Sequence, residues 1–158
     1  MSQRTQRDMD SAAHSASGAS TLQLVPDGNA VAMALQWLEE MAEREQWPFK
    51  VRFALELSLD EALTNIVSYA FTEGAAHGDV PEMVVSFRRD GAHLVIEIAD
   101  NGRPYDPTLN ALPPVAQSLD DAQIGGQGVR LMRHYMKHIT YRHHAGRNHL
   151  TLVAAYED

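Results

Sequence analysis

At 158 residues, the chain is long enough for one domain with a hydrophobic core and too short for two. Its net charge of −8 argues against a nucleic-acid-binding surface, which needs a basic footprint. The absence of cysteine excludes disulfides and thiolate metal sites, and no apolar run approaches the ~20 residues that span a bilayer. Because residues 1–20 lack the apolar region of a secretory signal, we expect a cytoplasmic protein with a disordered tail over 1–20 and one domain over 21–158.

The first half of this domain is predicted to contain one strand and two helices. Residues 21–25 predict a short strand that ends at the turn signal Pro-Asp-Gly. Asn29 is a candidate cap for a helix over 30–45, whose apolar residues recur at helical spacing. After the Trp-Pro break, a longer helix is predicted over 50–71.

The second half is predicted to contain two hairpins separated by a loop and a helix. Strands over 83–88 and 93–99 flank Asp90-Gly91, the strongest hairpin signal in the chain. Residues 108–124 predict a long loop, and 129–137 a helix. Strands over 139–143 and 149–155 form the second hairpin. Because helices and strands are segregated, we predict an α+β fold: a two-layer α/β sandwich whose mixed sheet is covered on one face by helices.

The long helix carries a polar pair beside its apolar face. Glu61 and Asn65 are four residues apart and share a strip with small residues, which leaves room for a ligand. Their oxygen atoms suit water polarisation and a hard cation. From this helix alone, we favour an ordinary solvated helix face over a ligand site. The apolar arc next to this strip is predicted to face the core and contains Val51, Leu55, Leu59, Ala62, Leu63, Ile66, Val67 and Ala70.

A carboxylate ends the strand over 93–99 on its apolar side. Alternation places Asp100 on the same face as Ile98, where it needs hydrogen-bond donors. The amino group of a purine ring is one such donor, and Gly102 would let a flat ring approach the backbone. An Asx-turn after the strand is an equally good interpretation.

A glycine-rich segment precedes the helix over 129–137. Backbone N–H groups at a helix N-terminus favour an anion such as phosphate, and Gly125, Gly126 and Gly128 fit this pattern. The segment is not a Walker A loop, because no Lys-Ser/Thr pair follows it. A flexible connector would have the same composition.

The eight histidines raise the question of a metal site. His134 and His138 have the four-residue spacing of zinc-binding pairs on a helix. The chain has neither an HExxH glutamate nor a cysteine, so we favour solvated or packing histidines.

In this order, the three features resemble the ATP-binding GHKL superfamily, in particular the anti-sigma-factor serine/threonine kinases. Residues 61–65 resemble the N box, 100–102 with 105–107 the G1 box, and 125–133 the G2 box, which Tyr141 and residues 146–152 follow. The resemblance covers roughly residues 21–155. It implies the Bergerat fold, with ATP and Mg²⁺ held between the helices and the sheet.

The resemblance also implies roles for individual residues. Asp100 would hold the adenine amino group with Gly102 beneath the ring, Asn65 would coordinate Mg²⁺, and Glu61 would act as the base. The phosphates would lie against Gly125, Gly126 and Gly128, with Val129 and Asn148 among the further nucleotide-binding residues. Residues 108–124 would form the ATP lid.

The sequence departs from the family pattern at two single positions and in the predicted lid. Lys137 stands where family members often have an acidic residue, and Tyr69 where they often have a histidine. No lysine or arginine lies between Arg103 and Arg130. Neutralising the γ-phosphate would therefore fall to Mg²⁺, to backbone donors or to a flanking arginine.

Three functional classes follow from the resemblance. The first is a partner-switching kinase that binds a sigma factor and phosphorylates a small antagonist protein on Ser or Thr. The second is a non-catalytic, ATP-gated binding module. The third, the catalytic half of a histidine kinase, is weakened because only about twenty residues precede the domain. No direct nucleic-acid or membrane partner is expected, and a homodimer is left open.

Overall fold

A computed structural model describes residues 19–109 and 128–156 of the chain. In its first half, strand β1 spans Ala19–Leu24, helix α1 spans Ala30–Glu45 and helix α2 spans Phe49–Asn65. The last turn of α2 continues as a π-helix over Ile66–Ala70. Together these two segments occupy almost the range predicted for one long helix.

The remaining elements are two hairpins with a helix between them. Strands β2 and β3 span Met83–Asp90 and His93–Asp100, and a single 3₁₀ turn follows at Pro107–Leu109. The described part of helix α3 is residues 128–135. Strands β4 and β5 span His138–His144 and Arg147–Ala155.

The strands form one sheet in the order β1-β2-β3-β5-β4. All four pairings among these strands are antiparallel, which corrects the predicted mixed sheet. Two of the pairings are set by tight hairpins, and positive φ angles of 54° and 75° at Ala145 and Gly146 suit the β4–β5 turn. The predicted α+β class and two-layer arrangement are confirmed.

The core lies between the helices and one face of the sheet. Alternate residues of the three central strands are buried there: Met83, Val85, Phe87, Leu94, Ile96, Ile98, Leu150, Leu152 and Ala154. The predicted apolar arc of α2 is buried against them, except for partly buried Val67. Asp100 lies on this buried face of β3, at the end of the strand, as the alternation predicts.

Three local predictions need correction or qualification. Asn29 occupies the N-cap position of α1, but its side chain makes no capping bond; instead its N–H donates to Asp27 Oδ1 at 2.9 Å. Strand β1 begins at Ala19, two residues inside the predicted tail, and the rest of that tail lies outside the described residues. The predicted lid over 108–124 also lies outside them, apart from its first two residues.

No helix within residues 19–109 and 128–156 is long and apolar enough to cross a membrane.

Candidate functional site

The polar strip of α2 is not a solvated helix face. Asn65 is only 6% exposed, Ser58 is fully buried and Glu61 is half-buried. Asn65 Nδ2 donates to Glu61 Oε1 at 3.3 Å and to the carbonyl of Pro107 at 3.4 Å. Because these two acceptors use the amide nitrogen, the amide oxygen of Asn65 is directed away from both.

The environment of Glu61 suits a proton acceptor. Burial raises the pKa of the Glu61 carboxyl, an effect that the hydrogen bond from Asn65 opposes and the nearby charge of Asp60 reinforces. A carboxylate whose pKa is raised towards neutrality is a more effective general base than an exposed one. Glu61 and Asn65 therefore lie together on one side of α2, as the sequence predicts.

Asp100 is held by two donors that share one oxygen. Its side chain is 1% exposed, and Oδ1 accepts from the Gly102 N–H and from Asn148 Nδ2, each at 2.9 Å. The bond from Gly102 is the predicted Asx-turn. Within the described part of the chain, no donor reaches Oδ2 of Asp100. The turn and the ligand interpretation are thus compatible, since each uses a different oxygen.

Burial also raises the pKa of the Asp100 carboxyl, while the bonds from Asn148 and Gly102 oppose that rise. A carboxylate this buried gains most from a further donor, because an unpaired buried charge costs more than a paired one. An exocyclic amino group supplies one.

Asn148 connects the start of β5 to the loop after β3. It faces Asp100 across the β3–β5 pairing. Its Nδ2 also donates to the Arg103 carbonyl at 2.7 Å, and its Oδ1 accepts from the Tyr105 N–H at 3.1 Å and from the Tyr141 hydroxyl. All four hydrogen-bonding positions of the amide are used. Asn148 therefore fixes the loop and the Asp100 carboxylate at the same time.

Two predicted ligand-binding glycines lie against other parts of the protein. A Cβ on Gly102 would lie 2.6 Å from the Ala70 carbonyl oxygen, so its closest neighbour is the end of the π-helix. This gives a different reason for glycine than the approach of a flat ring. A Cβ on Gly128 would overlap the carboxyl group of Glu61, so the described start of α3 lies directly against that residue.

The rest of the predicted phosphate-binding segment is only partly described. Gly125 and Gly126 lie outside the described residues, and Val129 is buried in α3. His134 lies in α3, but His138 begins β4, so the two do not share one helix as predicted. In the described ranges, no three His, Asp or Glu side chains are grouped closely enough to hold a metal ion.

Sequence reasoning missed three residues that shape the loop after β3. Arg103 Nε donates to the Tyr69 carbonyl at 2.8 Å, and Arg133 Nη2 donates to the Thr108 carbonyl at 2.8 Å. The Tyr105 hydroxyl is buried without a partner among the described residues, and burial raises its pKa to about 12. Only Arg103 carried a charge signal, because it is one of the two arginines that flank the long segment without lysine or arginine.

The described residues therefore form two polar groups that meet on one loop. Glu61, Asn65 and Gly128 form the first, and Asp100 with Asn148 forms the second. Asn65 touches the loop at Pro107, and Asn148 holds it at Tyr105. An acceptor for a purine amino group at one end, with an amide and a carboxylate at the other, fits a nucleotide and a hard cation.

Comparisons with known proteins identify the family and the fold. The model of the histidine kinase-like ATPase domain matches residues 24–154. The chain is 47% identical, over 85% of its length and 92% of the relative's, to the serine/threonine-protein kinase BtrW of Bordetella bronchiseptica. The crystal structure of the RsbU and RsbW domains of a Mycobacterium tuberculosis protein superposes with a TM-score of 0.55 at 14% identity, over 87% of this chain and 32% of that chain. The last similarity concerns the fold alone.

Proposed function

The chain belongs to the histidine kinase-like ATPase domain family, and from this premise we propose that it is an ATP- and Mg²⁺-dependent serine/threonine protein kinase. We further propose that it acts as an anti-sigma factor in a partner-switching system: it binds a sigma factor and phosphorylates a small antagonist protein on Ser or Thr. The kinase part is supported by the 47% identity to BtrW over most of both chains.

The observation that carries the kinase proposal is the environment of Glu61. Its carboxyl has a raised pKa, accepts a hydrogen bond from Asn65 and lies against the first described residue of α3. A non-catalytic binding module would need the adenine contact and the metal ligand. It would not need a half-buried carboxylate whose basicity is raised.

In the proposed reaction, Asp100 Oδ2 accepts from the adenine amino group, which places the triphosphate towards α2. Asn65 is the residue that would hold Mg²⁺, which supplies charge neutralisation for the phosphates. The acceptor hydroxyl oxygen bonds to the γ-phosphorus while the bond from that phosphorus to the β–γ bridging oxygen breaks. Glu61 orients the hydroxyl and receives its proton, and ADP leaves.

The partners come from the family resemblance rather than from a surface of the described chain. A sigma factor and an antagonist protein are what anti-sigma-factor kinases bind. The cytoplasm stays a prediction from the sequence, because residues 1–20 lack the apolar region of a secretory signal. A homodimer remains a prediction of the same kind.

The test is transfer of radiolabelled phosphate from ATP to candidate antagonist proteins. Glu61→Gln keeps the size and the hydrogen bond of the side chain but removes the base. We expect near-normal ATP and partner affinity with transfer slower by ~10²-fold or more, the usual scale for a lost general base. The matched control is Asp60→Asn, the same change at the exposed neighbouring position, which should keep the rate at neutral pH.

Two outcomes would contradict the proposal. Wild-type transfer by Glu61→Gln would mean that Glu61 is not the base. If the wild-type protein phosphorylates no antagonist while ATP still changes its affinity for a partner, the protein is an ATP-gated binding module.

A further inference from the structure

A concave surface lies between the two long helices, and none of its lining residues belongs to the candidate site described above. It has a volume of about 310 Å³, and we refer to it as the acidic groove. Two of the lining residues belong to α1 and four to α2: Leu35, Glu39, Phe53, Glu56, Leu57 and Asp60. On each helix these residues are spaced one turn apart, so the groove follows both helices for more than a turn.

The floor of the acidic groove is apolar and half-exposed. Leu35 and Leu57 are partly buried, and Phe53 is 43% exposed. The Phe53 ring contacts Tyr135 in a T-shaped arrangement, with centroids 5.7 Å apart, and stacks on Phe49 at 6.1 Å. An aromatic ring fixed by its neighbours is an effective contact for an apolar side chain, because it loses little freedom on binding.

The rim of the acidic groove is negatively charged. Arg52 bridges Glu39 and Glu56, with 3.0 Å between nitrogen and oxygen in both pairs. Glu43 lies near enough to contribute to the raised pKa of Arg52, and Asp60 stands at the other end of the groove. Three carboxylates therefore surround one guanidinium, and Asp60 adds a fourth negative charge to the rim. Such a surface attracts a basic partner and repels an acidic one.

We propose that the acidic groove binds a basic amphipathic helix of a partner protein. Two large apolar side chains spaced i and i+4 on that helix would enter the groove beside Phe53, and lysine or arginine side chains next to them would contact the carboxylates of the rim. Helices commonly bind in grooves between two other helices in this way. The binding does not depend on ATP, so the proposal goes beyond the kinase function and stands apart from it.

A synthetic peptide tests the proposal on the full chain. The probe is a lysine-rich peptide of about 15–20 residues, long enough to be helical when bound, with leucines at i and i+4. A second peptide of identical composition has its leucines distributed around the helix. By fluorescence anisotropy, we expect the first peptide to bind at least about fivefold more tightly than the second, since the apolar contact adds to the charge attraction.

Paired variants separate the groove from diffuse charge. Glu39→Lys and Phe53→Ala should each weaken binding of the first peptide about tenfold. The control Glu40→Lys makes the same charge change one residue outside the lining, and Met33→Ala removes an apolar side chain of α1, 52% exposed, that does not line the groove. These controls should change binding by less than about threefold. Thermal unfolding and ATP affinity of all four variants should match the wild type.

Several results would overturn the proposal. Equal binding of the two peptides, or an equal loss in Glu39→Lys and Glu40→Lys, would show non-specific attraction to an acidic protein. A homodimer that Phe53→Ala dissociates in sedimentation experiments would make the groove an interface between two copies. Competition by a peptide of residues 1–18 would assign the groove to the chain's own N-terminal segment.

Discussion

Gly102 and Gly128 both lack a side chain where another part of the protein comes close, but the neighbours differ. At Gly102 the neighbour is the main chain of Ala70, which cannot move without distorting the end of the π-helix. At Gly128 it is the carboxyl group of Glu61, at the end of a side chain that can rotate. The same substitution should therefore affect stability at one site and catalysis at the other.

We expect Gly102→Ala to lower the free energy of unfolding by about 1–3 kcal/mol, the usual cost of overpacking. Gly128→Ala should leave it unchanged or raise it by up to about 1 kcal/mol, since alanine favours a helix, yet slow phosphotransfer at least about tenfold by displacing Glu61. Urea unfolding measures the free energy of unfolding, and the transfer assay measures the rate of phosphotransfer. In Gly28→Ala, a Cβ meets no described atom within 4 Å, and neither quantity should change. Equal loss of stability in both variants would contradict the contacts described.

The raised pKa of Glu61 predicts a pH dependence. A base works in its ionised form, so the rate at saturating ATP should rise with pH through the Glu61 pKa. The midpoint should lie above the ordinary glutamate value of about 4.3. Asp60→Asn removes a charge that raises this pKa, so the midpoint should move to lower pH with the same plateau rate. If Asp60→Asn leaves the midpoint unchanged, a group other than Glu61 controls the rise of the rate with pH.

At the scale of elements, periodicity was sufficient for most of the fold. Alternation and turn residues located all five described strands within two residues of their ends, and the signal is clearest in the central strands, where one face is buried. The π-helix was not predictable, since its cause is tertiary. Ala70 there must receive both the Gly102 main chain and the Arg103 N–H, whose bond to the Ala70 carbonyl is 2.9 Å. Neither contact can be predicted from the sequence around Ala70, because both partners lie more than thirty residues away along the chain.

The candidate site was predictable to a similar degree. Helical spacing paired Glu61 with Asn65, and alternation buried Asp100, so both groups could be found from local pattern. The hydrogen bonds that hold these side chains in place could not be predicted in this way. Asn148 is 48 residues from Asp100 along the chain, and the two meet only because β5 pairs with β3 in one particular register.

Arg103 links two elements of the site and should be the most sensitive exposed arginine. Its guanidinium binds the Tyr69 carbonyl at the end of α2, while its own carbonyl accepts from Asn148. We expect Arg103→Ala to lower the free energy of unfolding by about 1 kcal/mol, the value of one such hydrogen bond. ATP affinity should fall about three- to tenfold, because the loop that carries Asp100 loses a constraint.

Calorimetry of ATP binding and urea unfolding measure these two effects. Arg142→Ala removes an exposed arginine of β4 and serves as the matched control. If Arg103→Ala loses stability but keeps wild-type ATP affinity, the link between α2 and the loop is structural only.

At the scale of the whole molecule, the candidate site joins segments that are distant in sequence. Residues 61–65, 100–105 and 148 come together only in the folded chain, so the unfolded chain offers no comparable binding surface. A ligand that binds the folded state alone stabilises the entire domain, at ~100 times its dissociation constant by about 2.7 kcal/mol. Stability is therefore a readout of nucleotide recognition that does not depend on phosphotransfer.

We expect saturating Mg·ATP at this ratio to raise Tm by about 5–10 °C, given about 2–4 °C per kcal/mol for a domain of this size. GTP should raise it far less, because guanine presents a carbonyl where adenine presents the amino group that Asp100 Oδ2 accepts. Asp100→Asn keeps an oxygen for Gly102 and Asn148 but places a donor at the other position, so ATP should lose its effect while Tm without nucleotide stays near that of the wild type. Asp90→Asn, the same change at the exposed β2–β3 turn, should keep the full rise. Equal shifts with ATP and GTP, or an intact ATP shift in Asp100→Asn, would refute the assignment of Asp100 to the adenine ring.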